Sequence, residues 1–208
     1  IQLTIDRLKS KYSEILNSSD KDNFNEYLKT IIKQIKQIEN LINEFSDFAR
    51  MAKPIFKENN LINIINDNIK LLNEIDLTIN INFENKKDKI LFICDNEQIS
   101  RVFFNLIKNS IESIQEKQSK NPDFAKKIDI VIINKSDYIE FILTDNGTGF
   151  SEKNFKNILK PYFTTKLKGS GLGLSIVNKI INDHEGTIKF EKQNVGAKII
   201  VKFPKNVD

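Results

Sequence analysis

The chain of 208 residues has no tryptophan and only one cysteine, one histidine and one methionine. With Cys94 alone, no internal disulfide can form, and a zinc site built from cysteines has no ligands. Cys94 closes the apolar run Ile90-Leu-Phe-Ile-Cys94, so it reads as a small buried residue in a reducing compartment rather than as a reactive thiol. No apolar run reaches the roughly 18 residues that a bilayer span needs, and no charged-then-apolar leader opens the chain. The first residue is Ile1, not methionine, so the sequence reads as a piece of a longer protein. A large charge of one sign is also missing. Net charge is +4, with lysines scattered among Glu and Asp. Without a basic stripe interleaved with aromatics, nucleic-acid binding has no basis.

What is present fits a folded domain. Apolar residues make up 39% of the chain and charged residues 29%, enough for a packed core under a solvated surface. The length suits one large domain, or a domain with a smaller appendage. Ile1, Ile5, Leu8, Tyr12 and Ile15 step by four and three. After a polar break at Asn17-Ser-Ser-Asp20, the pattern resumes with Phe24, Leu28, Ile31, Ile35, Ile38, Ile42, Phe45 and Ala49. This 3.5-residue repeat predicts two helices, each with one apolar seam, joined as an antiparallel hairpin. Two helices cannot bury so long a seam by themselves. A second copy, forming a four-helix bundle, would do so. Lys53-Pro54 ends the second helix, because proline disfavours helical geometry in the residue before it. The domain boundary is therefore placed between residues 52 and 53.

Beyond it, Leu61, Ile64, Ile65, Asn68, Ile69 and Leu72 predict a helix over residues 57–73. The alternating run Leu77–Phe83 and the apolar run Ile90–Ile93 read as strands. Asp95 with Gln98 three residues on forms a capping box that opens a helix reaching Ser113 or beyond. Strands at Ile128–Asn134 and Tyr138–Thr144, a helix from Gly173 to Asp183, and strands at Thr187–Glu191 and Ala197–Phe203 complete the order. Such an order predicts an α+β fold, a two-layer α/β sandwich with a mixed sheet and helices on one face, preceded by the helical hairpin.

Four short stretches carry the chemistry. In Asn105-Leu-Ile-Lys-Asn109-Ser-Ile-Glu-Ser113, two amides four residues apart share a helix face. Taken alone, they are surface asparagines in an Asn-rich chain. Asp145-Asn-Gly147-Thr-Gly149-Phe150 follows an apolar strand and by itself reads as a turn. Pro161-Tyr-Phe-Thr-Thr-Lys166 comes next. Gly169-Ser-Gly171-Leu-Gly173-Leu-Ser175 precedes a helix. It is neither a P-loop nor a dinucleotide fingerprint. Its glycines still permit positive φ and close backbone approach, and the helix N-terminus beyond them offers N–H groups to phosphate. His184 precedes Glu-Gly and reads as a turn or cap residue rather than a catalytic one.

In this order and spacing, the four stretches resemble the boxes of the sensor histidine kinase ATP-binding domain, the GHKL ATPase fold. The resemblance extends to the hairpin. Ile1-Gln-Leu-Thr-Ile-Asp-Arg-Leu and Asn43-Glu-Phe-Ser-Asp-Phe-Ala-Arg-Met-Ala-Lys-Pro54 are similar to the dimerisation segment of NtrY-type nitrogen-regulation sensors. The cofactors implied are ATP and Mg²⁺. Asn109 would hold the metal that bridges the phosphates, a hard cation suited to oxygen ligands. Asn105 would orient phosphate, water or the acceptor segment, and Glu112 receives no role. Asp145 would accept a hydrogen bond from the adenine amino group, which an acceptor-only carboxylate favours over the guanine carbonyl. Gly147 and Gly149 would let the backbone approach the base. Residues Phe150–Ser170 would form a lid, with Phe163 packing its base. Phe163, Thr164, Thr165 and Lys166 would line the nucleotide, Lys166 through phosphate. Gly169, Ser170, Gly171, Leu172, Gly173 and Leu174 would wrap the phosphates.

The family's acceptor histidine has no counterpart before His184. By the resemblance it belongs about two to three helical turns before Ile1. The expectation is a kinase core that binds nucleotide but does not autophosphorylate by itself. Residues 1–52 would be a partial dimerisation hairpin and residues 53–208 the catalytic domain. The implied partners are a second copy and a response-regulator receiver domain. The implied setting is the cytoplasmic portion of a bacterial inner-membrane sensor, with no membrane contact by this segment. Two alternatives stand beside it. Gyrase-, chaperone- or mismatch-repair-type ATPases and serine kinases of this fold carry a general-base Glu where Asn105 stands. A non-catalytic dimerisation module would have lost nucleotide binding.

Overall fold

The computed structural model describes residues 2–12, 18–84, 89–121, 123–151, 155–166 and 169–205. It forms two compact units, Ile1–Met51 and Ala52–Asp208.

The first unit is two helices, α1 (Gln2–Tyr12) and α2 (Ser18–Ala49). Ile1 and Ile15 of the expected seam lie outside the described residues, as does Asn17. Ser18–Asp20, read as part of a break, are the first turn of α2. Both helices lie where the apolar repeat puts them. Ile5 and Leu28 are buried, and the Tyr12 ring meets Phe24 at 6.4 Å. Farther along α2 the seam is bare: Ile31, Ile38, Ile42 and Phe45 are 47–57% exposed. The partner helix of the hairpin does not cover this stripe.

The second unit is a mixed α/β sandwich. Its sheet runs in the order β2-β4-β5-β7-β6, from β2 (Asn80–Glu84), β4 (Lys127–Asn134), β5 (Tyr138–Asp145), β7 (Ala197–Pro204) and β6 (Thr187–Lys192). The β2–β4 pair is parallel and the rest are antiparallel. Strand alternation sorts the side chains. Ile128 and Ile130, then Ile139, Phe141, Leu143 and Asp145, then Ala197, Ile199, Val201 and Phe203 share one buried face in register. The other face carries the ion pairs Lys202–Glu140 and Lys198–Glu191.

Three helices close the buried face: α3 (Leu61–Asn73), α4 (Asn96–Lys120) and α5 (Gly173–Asp183). In α4 the inward stripe is Ile99, Val102, Phe103, Leu106, Ile107, Ser110, Ile111 and Ile114, the 3.6-residue repeat of an amphipathic helix. Phe103 meets Phe141 of the sheet at 4.6 Å. Each such side chain, fully buried, contributes roughly 1.5–3 kcal/mol to holding the helix on the sheet.

Three local expectations need correction. Lys57–Asn60 is not helical. It is strand β1, antiparallel to β3 (Leu91–Cys94), and the helix begins only at Leu61 with Asn60 as its N-cap. Pairing to a segment thirty residues away left no local sign. The strand read at Leu77–Phe83 starts at Asn80, because Asp76 folds residues 76–78 into a turn by accepting from the Thr78 N–H and hydroxyl. The capping box is only half formed. Asp95 caps Gln98 N at 3.0 Å, but its own N–H donates to His184 Nε2 at 3.1 Å, and the Gln98 amide donates to Ala52 O.

Candidate nucleotide site on helix α4

Helix α4 is the platform. Its C-terminal half presents two adjacent stripes beside the buried one. Asn105, Asn109 and Glu112 form the first; Ser110, Ser113 and Lys117 form the second.

The second stripe grips the loop that follows β5. Asp145, the last residue of β5, is 4% exposed. Its carboxylate accepts from the Ser110 hydroxyl and from Gly147 N, each at 2.9 Å. Burial pushes its pKa above the ordinary value, against these hydrogen bonds, which favour the charged form. The Ala197 backbone N–H also favours the charged form, and with these donors the carboxylate's roughly four acceptor positions are still not filled. One turn on, Ser113 Oγ accepts from Thr148 N at 3.0 Å, and Lys117 donates to the Asn146 carbonyl at 2.6 Å. The loop lies so close that a Cβ on Gly147 would sit 2.3 Å from Ser113 Oγ. Gly149 adopts φ 72°. From the far side, Gly196, at φ 74°, packs on the Asp145 carbonyl; a Cβ there would lie 1.8 Å from that oxygen. Asp145 is thus held on three sides: its carboxylate by a helix and by its own loop, and its main-chain carbonyl by the β6–β7 turn.

The first stripe faces the second glycine run. Asn105 is half-buried, and its Nδ2 donates to Arg101 O at 2.8 Å. Its Oδ1 lies 3.1 Å from the place of a Cβ on Gly173, so a bare glycine lets the start of α5 approach it. Leu172 is the N-cap of α5 and gives no side-chain cap. The first-turn N–H groups of α5 are therefore free of such an acceptor, the state that suits an anion. Gly171, at φ 71°, packs on the Tyr162 backbone; a Cβ would meet the Tyr162 carbonyl carbon at 2.5 Å. Tyr162 itself is at φ 65°, an uncommon conformation for a side-chain-bearing residue. Gly169 lies over Thr164, whose hydroxyl accepts from Lys166 N at 3.0 Å. Ser170 Oγ accepts from Leu172 N at 3.2 Å. Phe163 and Leu174 are half-buried, Leu172 is buried and Thr165 is exposed. At the near end of this segment, Phe150 stacks edge-on against Phe190 at 5.3 Å.

Lys166 joins the two parts. Its ammonium donates to Asn109 Oδ1 at 3.3 Å and pairs with the Glu112 carboxylate. The sequence-predicted site residues therefore fall on α4, the end of β5 and the loop after it, the 161–166 segment, and the 169–172 loop that leads into the start of α5. Asn105 meets Gly173, Asn109 meets Lys166, and Tyr162 meets Gly171. Asp145 is tied to this cluster through Ser110, the neighbour of Asn109. Sequence reasoning passed over Ser110, Ser113, Lys117 and Gly196, and left Glu112 without a role. Glu112 and Ser113 lie three and four residues after Asn109, and Ser113 and Lys117 continue from Ser110 by three and four; that helical spacing was the available signal for those on α4. Gly196 had none, because its contact with Asp145 is made across the sheet.

His184 stands apart from this chemistry. It is fully buried, with Nδ1 2.9 Å from Ile180 O and Nε2 accepting from Asp95 N, which fixes the Nδ1–H tautomer. Burial lowers its pKa. The ring packs on Phe56 at 5.1 Å and fastens the end of α5 to the start of α4, a structural role.

A glycine-flanked helix start, a buried carboxylate and a half-buried asparagine are thus all referred to one helix. Residues 94–207 match the family described as histidine kinase-, DNA gyrase B- and HSP90-like ATPases, and the chain belongs to it. Within that family it is 36% identical over 207 residues to an NtrY-like sensor histidine kinase of Rickettsia prowazekii (strain Madrid E). That match covers 98% of this chain and 33% of the relative, so the chain spans about a third of the protein it resembles. Among solved structures, the catalytic domain of the histidine kinase ThkA in a nucleotide-free form superposes with a TM-score of 0.64 at 30% identity. It covers 73% of this chain and 96% of that domain. ThkA in complex with the response regulator TrrA superposes with a TM-score of 0.72 over 98% of this chain and 57% of the other. At 24% identity that second match speaks for the fold alone.

Proposed function

We propose that the chain is the ATP-binding catalytic core of a two-component sensor histidine kinase. The observation that carries this reading is the buried Asp145. Burial raises its pKa, yet it is kept where an apolar residue would pack, and it is gripped by the same helix that presents Asn109. In this reading Asp145 accepts the adenine amino group, and Gly147 and Gly149 let the base lie close. Asn105, Lys166, the Gly169–Gly173 backbone and the first turn of α5 hold the phosphates. Asn109 holds Mg²⁺, whose part is to neutralise phosphate charge. The residues fit these groups: an acceptor-only carboxylate, an amide oxygen beside a second oxygen on Glu112, and uncapped N–H groups. The protein's contribution to phosphoryl transfer is positioning and electrostatics.

The acceptor is a histidine of the whole protein, and the next acceptor is an aspartate of a response-regulator receiver domain. The bare stripe of Ile31, Ile38, Ile42 and Phe45 on α2 serves as a dimer seam for two copies. No helix among the described residues is long and apolar enough to cross a membrane. The whole protein is read as a membrane-anchored sensor with this part in the cytoplasm. Calorimetry tests the nucleotide reading. ADP and ATP are expected to bind the chain in a Mg²⁺-dependent way, and Asn109→Ala to bind without that dependence. Joining the preceding segment with its histidine should then give phosphotransfer from ATP. A folded chain that binds neither nucleotide would overturn the proposal and favour a dimerisation module.

A further inference from the structure

Glu112 carries an unexplained acidic charge at the phosphate end of the site. A carboxylate there repels phosphate, unless a cation stands between them. In this structure one does. The Lys166 ammonium lies on Asn109 Oδ1 at 3.3 Å and pairs with Glu112, and both charged side chains are 37% exposed. Lys108 reaches the other Glu112 oxygen only at 4.0 Å and is the more exposed lysine. Asn109 and Glu112 are three residues apart on α4, so their oxygens point to one place. That place offers one amide oxygen and one carboxylate, a hard-oxygen pair of the type that binds a small divalent cation retaining several waters.

We propose that Asn109 and Glu112 form a single cation seat, occupied in turn by the Lys166 ammonium and by the divalent metal. Lys166 is the seat's internal occupant. It comes from the 161–166 segment, which Gly171 and Gly169 hold by backbone contact to Tyr162 and by Thr164. Metal entry therefore expels the lysine from α4 and frees its charge for the phosphates. Metal binding and the position of that segment become one equilibrium. Glu112 is a metal-side residue, and its charge is neutralised in both states. The argument rests on the proposed nucleotide reading for the fate of the freed lysine, but not for the seat itself.

The test uses Mn²⁺ alone, without nucleotide, on the whole chain labelled with ¹⁵N. Paramagnetic broadening of the Asn109 side-chain amide signal reports metal in the seat. Removing the internal competitor in Lys166→Gln should lower the apparent Mn²⁺ dissociation constant about two- to fivefold, the size of a half-exposed ion pair. Glu112→Gln should weaken Mn²⁺ binding. Lys166→Gln added to Glu112→Gln should give little further change, because the lysine no longer has a partner there. Backbone amide spectra superposable on the parent's establish that each variant is folded. Equal Mn²⁺ affinity in the parent and Lys166→Gln, or broadening untouched by Glu112→Gln, would overturn the proposal. ADP binding by the same samples is read separately. Its absence alongside a lysine-gated Mn²⁺ seat would sink the nucleotide reading and leave the seat.

Discussion

Asp145→Asn separates the cost of the buried carboxylate from its use. In the parent, Oδ2 accepts from the Ser110 hydroxyl and Oδ1 from Gly147 N. The amide keeps one oxygen and gains one NH₂. Gly147 N–H cannot reorient, so it retains the oxygen, whereas the Ser110 hydroxyl can rotate and accept from the NH₂. Both internal hydrogen bonds survive, and the charge that burial disfavours is gone. The variant should melt at or above the parent's temperature at neutral pH. Binding should move the other way. The exocyclic amino group of adenine loses a charged acceptor, a bond worth about 1.5–3 kcal/mol, or about tenfold to 150-fold in affinity. Calorimetry with ADP and a thermal melt on the same samples check both arms. The pH dependence gives a third. The folded pKa of Asp145 lies above its ordinary 3.8, so the stability this group contributes is full below 3.8 and is lost as pH rises through the folded value. Relative to Asp145→Asn, the parent should therefore gain stability as the pH is lowered from neutral toward 4. An Asp145→Asn chain that melts like the parent and binds ADP equally well would refute the assignment of Asp145 to the base.

Three further outcomes follow from the same geometry. Gly171→Ala places a Cβ 2.5 Å from the Tyr162 carbonyl carbon at φ 71°. The left-handed conformation alone costs roughly 1–2 kcal/mol, so the 161–166 segment should shift and ADP binding weaken while far-UV circular dichroism stays unchanged. His184 titrates with the opposite sign to Asp145: burial depresses its folded pKa below 6.5, so stability present above 6.5 is lost as pH falls through the folded value. Because it is the sole histidine, the contribution it makes to the parent's denaturant midpoint should fall as the pH drops below 6.5, and a parallel titration of His184→Gln should lack that component. In the first unit, Ile31→Asp with Ile38→Asp and Ile42→Asp should abolish self-association in sedimentation equilibrium, with ADP affinity unchanged; association that persists would remove α2 as the seam.

The helices and the main sheet were legible because their signals are local. The repeat from Phe24 to Ala49 is α2, and the alternation from Tyr138 to Thr144 is β5, whose buried residues do alternate. What failed was long-range. Lys57–Asn60 contains no apolar residue, and its strand character comes wholly from pairing with Leu91–Cys94. Asp95 and Gln98 have the residue types of a capping box, yet each spends its second hydrogen bond elsewhere, on His184 and Ala52. A motif specifies which groups could bond; the fold decides which partner arrives first.

The same distinction explains the site. Asn105, Asn109, Asp145 and the glycines were legible as a set only through the resemblance of the four stretches, in their order, to the sensor-kinase boxes. Their helpers were not, since serine and lysine on a helix surface are ordinary. Yet the helpers explain how, in the proposed reading, one helix serves both ends of a nucleotide. Asn105, Asn109 and Glu112 step by four and three; Ser110, Ser113 and Lys117 step by three and four on the adjoining stripe. On a helix of 3.6 residues per turn, both progressions drift little over two turns, so the two stripes run side by side. One stripe fixes the loop that carries Asp145, and the other meets Lys166 and the start of α5. A rigid α4, pinned by Phe103 and its apolar neighbours, therefore sets the separation between the carboxylate and the cation seat. Loosening that packing should degrade both ends together, whereas changes in either stripe should act on one end alone.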